Sequence, residues 1–224
     1  MRAWENRCDA AVIDEPFYAA YLDRTGLDHP GASVIIAQDE TDWHNVATTL
    51  LGPVPGDRAI WYQKLMTHHM LPEIGLDWIF ELTNCFLIRS PKEVITSYIK
   101  VRPDPTQADL GFVQQLDIFE QVSNRAESMP PVLDARDVLE NPRRMLERLC
   151  AAVGVPFDDS MLQWPAGRRQ TDGVWAPYWY DDVERSTGFQ RYIPKNDEVP
   201  THLQTLLDDC QAIYDEMYRH RLTP

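Results

Sequence analysis

Arg89 and Ser97 are the residues whose types and spacing first suggest chemistry. They bracket a junction that reads Cys85-Phe86-Leu87-Ile88-Arg89-Ser90-Pro91-Lys92-Glu93 and runs on to Ser97-Tyr98. Cys85 to Ile88 is an apolar run without polar alternation, as in a parallel strand covered on both faces. Ser90 suits the cap of a following helix, and Pro91 suits its first position, where a missing N–H costs nothing. Arg89 is thus placed at the carboxyl end of a strand, where open α/β sheets bind ligands, and Ser97 lies two turns into the helix. A guanidinium and a hydroxyl so held make a phosphate site. The plainer alternative is an arginine in a salt bridge and a serine on a helix surface.

The elements that must position these residues alternate between strand and helix. Ala10–Asp14, Ala59–Met66, Cys85–Ile88 and Pro131–Asp134 read as strands. Helices are expected over Phe17–Asp23, Asp42–Leu51, Lys92–Val101, Gln107–Arg125, the stretch from Asn141 to Gly154, and His202–Tyr218. Gly52-Pro53 and Pro103 are stop signals, and Pro142 follows Asn141 as a helix start. Leu76–Phe80 is ambiguous between helix and turn. The order predicts an α/β fold with a parallel, doubly wound sheet. Residues 163 to 200 have no clear period and are rich in Trp, Tyr, Pro and charge, a composition typical of functional loops.

The totals exclude several classes. A chain of 224 residues fits one domain with a full core. A net charge of −14 argues against binding to nucleic acid or an anionic membrane, while permitting a local cationic pocket. No run of apolar residues is long enough to span a bilayer, and the N-terminal residues lack a signal-peptide core, so a cytoplasmic protein is expected. The four cysteines are far apart, which fits a reducing compartment, and Cys85 and Cys150 read as buried thiols. No metal site is expected: His68, His69 and Glu73 do not form H-E-x-x-H, and the cysteines lack zinc spacing.

The Arg89 to Tyr98 segment resembles the 3′-phosphate-binding segment of sulfotransferases that use the donor PAPS. In that family a strand ends in Arg, a Pro-Lys/Arg-Asp/Glu turn follows, and a Ser stands eight residues after the Arg. Val132–Pro142 is similar to the family's strand, acidic loop and Asn-Pro helix start. Asp14–Tyr18, Tyr62–His69 and Asp172–Tyr180 are similar to a bacterial branch, some of whose members carry aminotransferase-like labels. The resemblance implies a parallel doubly wound three-layer sheet of P-loop/sulfotransferase type, here lacking its first strand. It further implies a single domain over 1–224, truncated at its N-terminus. The family's Gly-Pro-Arg-x-x-Ser-Thr loop, which cradles the 5′-phosphosulfate, has no counterpart here, so Met1 is expected to be an internal methionine. The alternative is a remnant that has lost donor binding.

Sulfuryl transfer needs a proton acceptor and cations near the bridging oxygen of the donor. The resemblance places His68 and His69 at the base, with His68 narrowly preferred, because neutral imidazole has a suitable affinity for the proton. Both could instead cap a strand end. Lys64 contacts sulfate if it faces the sheet's carboxyl edge and is a snorkelling surface residue if it faces sideways. Arg185, Thr187 and Gly188 fall where the family folds a glycine-bearing loop over the 3′-phosphate, although the full Arg-Lys-Gly-x-x-Gly pattern is absent. Trp164, Trp175, Tyr178, Trp179 and Tyr180 suit either an acceptor pocket or plain packing. The function implied is transfer of a sulfuryl group from PAPS to a small hydroxyl or amine acceptor, with PAP(S) the co-substrate and no metal. A non-catalytic binding or scaffold protein retaining a 3′-phosphonucleotide half-site is the alternative. A PLP enzyme or a P-loop kinase would need a phosphate cup with a Schiff-base lysine, or G-x-x-x-x-G-K-[ST], and neither is seen.

Overall fold

A computed structural model describes residues 1–224. In chain order the elements are α1 (Arg2–Glu5), β1 (Ala10–Asp14), α2 (Tyr18–Thr25), α3 (Ala32–Gln38), α4 (Trp43–Leu50), β2 (Ile60–Lys64), β3 (Phe86–Ile88) and α5 (Pro91–Tyr98). There follow α6 (Gln107–Leu110), α7 (Phe112–Arg125), β4 (Val132–Asp134), α8 (Ala135–Glu140), α9 (Pro142–Ala152), α10 (Ala176–Trp179), α11 (Asp181–Arg185) and α12 (Gln204–Tyr218). The fold is α/β, and every strand pair is parallel: β1 with β2, and β3 with β4. Contacts group the chain into two compact units, Met1–Trp78 with Asp158–Gln190, and Ile79–Phe157 with Arg191–Pro224. No helix is long and apolar enough to cross a membrane.

In the first unit, β1 and β2 run in register from Ala10↔Ile60 to Asp14↔Lys64. Trp4 of α1 stacks on Tyr62 of β2 at 5.3 Å, and Phe17 stacks on Trp78 at 5.2 Å. Tyr18, Tyr21, Leu22, Ile35 and Trp175 form a buried cluster where α2 and α3 meet the start of α10. The aperiodic stretch after residue 163 is thus ordered by packing and by ion pairs. Arg2 donates to both oxygens of Asp172, at 2.7 and 2.8 Å, and the Asp172 side chain is wholly buried. Arg7, 2% exposed, makes the same two-pronged contact with Asp9 at 2.8 Å on each prong.

In the second unit, α12 packs on α5, α7, β3 and β4. Several expectations need correction there. β3 begins at Phe86 and is covered on one face only: Phe86 and Ile88 are buried while Leu87 is 60% exposed. Cys85 precedes the strand and is exposed, whereas Cys150 is buried on the inner face of α9. The expected helix over Gln107–Arg125 is broken at Gly111, whose φ of 73° belongs to the left-handed region that glycine enters without steric cost. Pro91 and Pro142 take first-turn positions as expected, but neither Ser90 nor Asn141 makes a side-chain cap bond. Leu76–Phe80 resolves into a short 3-10 turn over Asp77–Glu81, and α3 was not foreseen.

Candidate functional site

The register of β1 and β2 sets an acid beside a base at their carboxyl ends. Lys64 Nζ donates to Asp14 Oδ1 at 3.0 Å, to Glu15 Oε1, and to the Tyr180 hydroxyl at 2.9 Å. Tyr180 in turn donates to Asp14 Oδ2 at 2.5 Å. Glu15 reaches the ammonium because its backbone turns sharply at the strand end, with φ 47°, while its N–H extends the ladder to the Lys64 carbonyl at 2.8 Å. The Asp14 side chain is 1% exposed, that of Glu15 12% and that of Lys64 26%. Burial opposes the Lys64 charge, but Glu15 and Asp14 outweigh it and raise the ammonium above its ordinary value. Burial raises the Glu15 carboxyl over the opposing pull of Lys64, and burial also raises the Tyr180 phenol. The sequence left Lys64 open between the sheet's carboxyl edge and a sideways surface position. The structure puts it at the edge, already bonded to two carboxylates.

A single 3-10 turn, Thr67–His69, follows β2 and points its two histidines differently. His69 is 1% exposed and lies parallel to Tyr18 at 4.7 Å and against Tyr21 at 4.8 Å. Its Nδ1 has no hydrogen-bond partner. Burial, then the neighbouring His68 and Lys64, hold its imidazole well below the ordinary value, so it stays neutral. His68 is only half-buried, packed edge-on to Tyr21 at 5.5 Å and to His69 at 4.3 Å. A third imidazole, His29, is buried beside them, with its Nδ1 2.9 Å from the Tyr18 hydroxyl. Of the adjacent pair, His68 is the one with solvent access.

The second unit holds Arg89 and Ser97. Arg89 directly follows β3, and its Nε donates to Glu93 Oε2 at 2.9 Å, one turn into α5. Its side chain is 42% exposed, and Ser97 is exposed on α5. Glu93 also accepts from the Tyr192 hydroxyl at 2.7 Å; these two donors overcome its partial burial and lower its carboxyl below the ordinary range. The Arg89–Glu93 bond occupies Nε and leaves the terminal nitrogens for another anion.

The predicted glycine-bearing loop separates. Thr187 and Gly188 line an open pocket of about 590 Å³, together with Gln163, Trp164, Pro165, Phe189 and Gln190. Gly188 bridges to Gln163 across it, and a Cβ at Gly188 would lie 3.0 Å from the Leu162 carbonyl. Arg185 is not in that lining; its guanidinium is 72% exposed and bonds to Asp182 at 2.8 Å. Of the aromatic residues, Trp164 and Trp175 are buried packing, Tyr178 and Trp179 face outward, and Tyr180 joins the Lys64 cluster. Sequence reasoning missed Asp14, Glu15 and Tyr180 as partners of Lys64. Both strands were visible, but the second was expected to run on to Met66 with Lys64 inside it, and neither its end at Lys64 nor the register that pairs Asp14 with Lys64 was.

A model of the family described as Sulfotransferase domain matches residues 1–219. Two proteins of Arabidopsis thaliana, branched-chain-amino-acid aminotransferase-like proteins 2 and 1, are each 30% identical to this chain over 220 residues. That alignment takes in 98% of the chain but only 39% of either relative, so the chain spans about two-fifths of their length. Among solved structures, the sulfotransferase domain from the curacin biosynthetic pathway aligns with 93% of this chain and 79% of its own, at 15% identity and a TM-score of 0.48. The sulfotransferase domain of the Synechococcus PCC 7002 olefin synthase aligns with 92% of this chain and 75% of its own, at 14% identity and a TM-score of 0.46. With a family match over nearly its whole length, the chain belongs to the sulfotransferase-domain family.

Proposed function

We propose that this protein takes part in sulfuryl transfer from PAPS to a small hydroxyl or amine acceptor. The observation that carries the reading is the family match across residues 1–219. In the reaction the acceptor oxygen or nitrogen bonds to sulfur, the bond from sulfur to the donor's phosphate oxygen breaks, and the acceptor proton passes to a base. Arg89, through its free terminal nitrogens, and Ser97 hold the 3′-phosphate. His68 takes the acceptor proton, because it combines an imidazole with solvent access, while buried His69 sets its orientation by edge-on contact. Lys64 supplies positive charge for the departing oxygen. Thr187 and Gly188 contribute to the pocket that Trp164 and Phe189 floor, and Arg185 contributes charge at the end of α11.

One observation favours a binding protein instead: Lys64 is bonded to two carboxylates and a phenol, so its charge is already compensated. The two readings separate in one experiment. Calorimetric titration with PAP should show saturable binding that weakens about tenfold or more in Arg89→Ala, the loss expected for charge-assisted hydrogen bonds to phosphate. Transfer of radiolabelled sulfate from PAPS to any of a panel of phenols and amines then marks the enzyme. PAP binding without transfer marks the binding protein, and absence of PAP binding refutes both.

A further inference from the structure

Residues 176–185 form an arch with two fixed feet. One foot is Trp175, buried in the first unit's aromatic cluster. The other is Trp164, whose Nε1 donates to Ser186 Oγ at 3.0 Å and whose backbone N–H donates to the Thr187 carbonyl at 3.1 Å. Between the feet, Tyr178, Trp179, Asp181, Asp182 and Arg185 are exposed. The Glu184 carbonyl accepts from the Gly167 N–H at 2.7 Å, and the Tyr180 hydroxyl ties the arch to the ends of β1 and β2.

An ammonium has three N–H donors, and Asp14, Glu15 and Tyr180 take one each. Two of these partners are carboxylates on the strand ends, and the third is a neutral phenol carried by the arch. All three bonds are charge-assisted by the ammonium, but only the two carboxylates add a full opposite charge, so the phenol is the partner that yields first, and its own bond to Asp14 Oδ2 goes with it. We infer that Tyr180 is a placeholder on Lys64 for an oxygen of a tetrahedral oxyanion: a sulfate or sulfuryl oxygen takes the phenol's position on Nζ, and the arch is released. The identity of the anion rests on the sulfuryl-transfer reading, and the geometry does not. Tyr180 acts through Lys64 and is therefore a positioning residue.

Two carboxylates beside the incoming anion set a condition. Glu15, the more exposed of the two, takes up a proton as the anion arrives, so binding strengthens as pH falls. The groups facing Lys64 are Asp14 and Glu15 at the end of β1, the phenol of the arch, and His69 after β2. Burial holds the Glu15 carboxyl above its ordinary value.

The test uses inorganic sulfate, with sodium chloride at matched ionic strength as control, read by calorimetry and by amide hydrogen exchange. Sulfate should bind saturably and speed exchange in residues 176–185. Tyr180→Phe should show fast exchange there without sulfate and bind sulfate more tightly by about tenfold or more, because the phenol's bonds to the charged Lys64 and Asp14 no longer have to be broken. Lys64→Met should not bind sulfate, and Glu15→Gln should bind it more tightly at neutral pH with a flatter pH profile. Weaker binding by Tyr180→Phe, slowed exchange in the arch on adding sulfate, or no sulfate binding at all overturns the inference. PAP, which carries no sulfuryl group, keeps the two claims apart. PAP binding without a sulfate response removes this inference alone, and a sulfate response without PAP binding retains it while removing the nucleotide reading.

Discussion

Asp172→Asn is the substitution that most directly tests how the arch-bearing segment is held. The variant keeps the volume of the side chain and removes its charge. Arg2 then loses its two-pronged partner, at 2.7 and 2.8 Å, in a site where the aspartate is fully buried and Arg2 is 5% exposed. Breaking a buried ion pair strands the remaining charge, at a cost of about 3–5 kcal/mol. Glu5 stays 3.1 Å from the same guanidinium, so the lower end, about 3 kcal/mol, is expected. For a domain of this size that equals a fall in melting temperature of about 6–12 °C. Urea unfolding should show the midpoint shifting at constant slope. The double variant Arg2→Met/Asp172→Leu should recover most of the loss, because an apolar pair leaves no charge unpaired. Exchange should also quicken around Gly167–Asp172, where Asp172 Oδ2 accepts from the Arg169 N–H at 2.7 Å. A loss under about 1 kcal/mol would place the pair with solvent-screened surface bridges and refute the reasoning.

The histidines give two further expectations. His69→Phe should cost little or stabilise slightly, since it removes a buried nitrogen without a partner. Folded His69 stays neutral while the unfolded chain titrates near 6.5, so the unfolded state binds more protons below that value and stability falls as pH drops. The wild type should therefore lose stability faster than His69→Phe between pH 6.5 and 5.5, by at most about 1.4 kcal/mol per pH unit; parallel profiles would contradict the assignment. His68→Asn should lower sulfuryl transfer by about 10²- to 10⁴-fold while leaving PAP affinity intact, as loss of a proton acceptor requires. An equal loss in His69→Phe and none in His68→Asn would reverse the roles.

How much of this was legible depended on the range of the interaction. Local signals worked: Pro91 and Pro142 mark helix starts because a ring without an N–H fits only there, and the apolar runs at 10–14 and 131–134 became β1 and β4. Local signals also failed where two of them competed. The apolar spacing from Leu110 to Val122 is continuous across Gly111, and only the backbone freedom of that glycine divides the helix. Leu87 looked like core because its neighbours are apolar, yet β3 alternates and exposes it. At the site, residue types were readable and partners were not. Tyr180 meets Asp14 across 166 positions, and Arg2 meets Asp172 across 170. No periodicity in residues 163–190 encodes either contact, since both arise from the docking of Trp175 and Trp164 rather than from a repeating face.

Lys64 in the first unit and Arg89 in the second share one arrangement that the net charge of −14 helps explain. Lys64 is held by Asp14 and Glu15, and Arg89 by Glu93. In a chain so acidic, a bare cation in a cleft would attract the protein's own mobile carboxylates as readily as a ligand. Fixing carboxylates on each cation in advance, two on Lys64 and one on Arg89, prevents that, at the expense of affinity for simple anions. A ligand that brings several oxygens, or that lets a carboxylate take up a proton, still displaces the weaker contacts. The arrangement predicts steep selectivity for multiply charged oxyanions over chloride at equal ionic strength. At Lys64 the contact that gives way is the neutral one, Tyr180, which is why removing a single phenolic oxygen should tighten anion binding rather than abolish it.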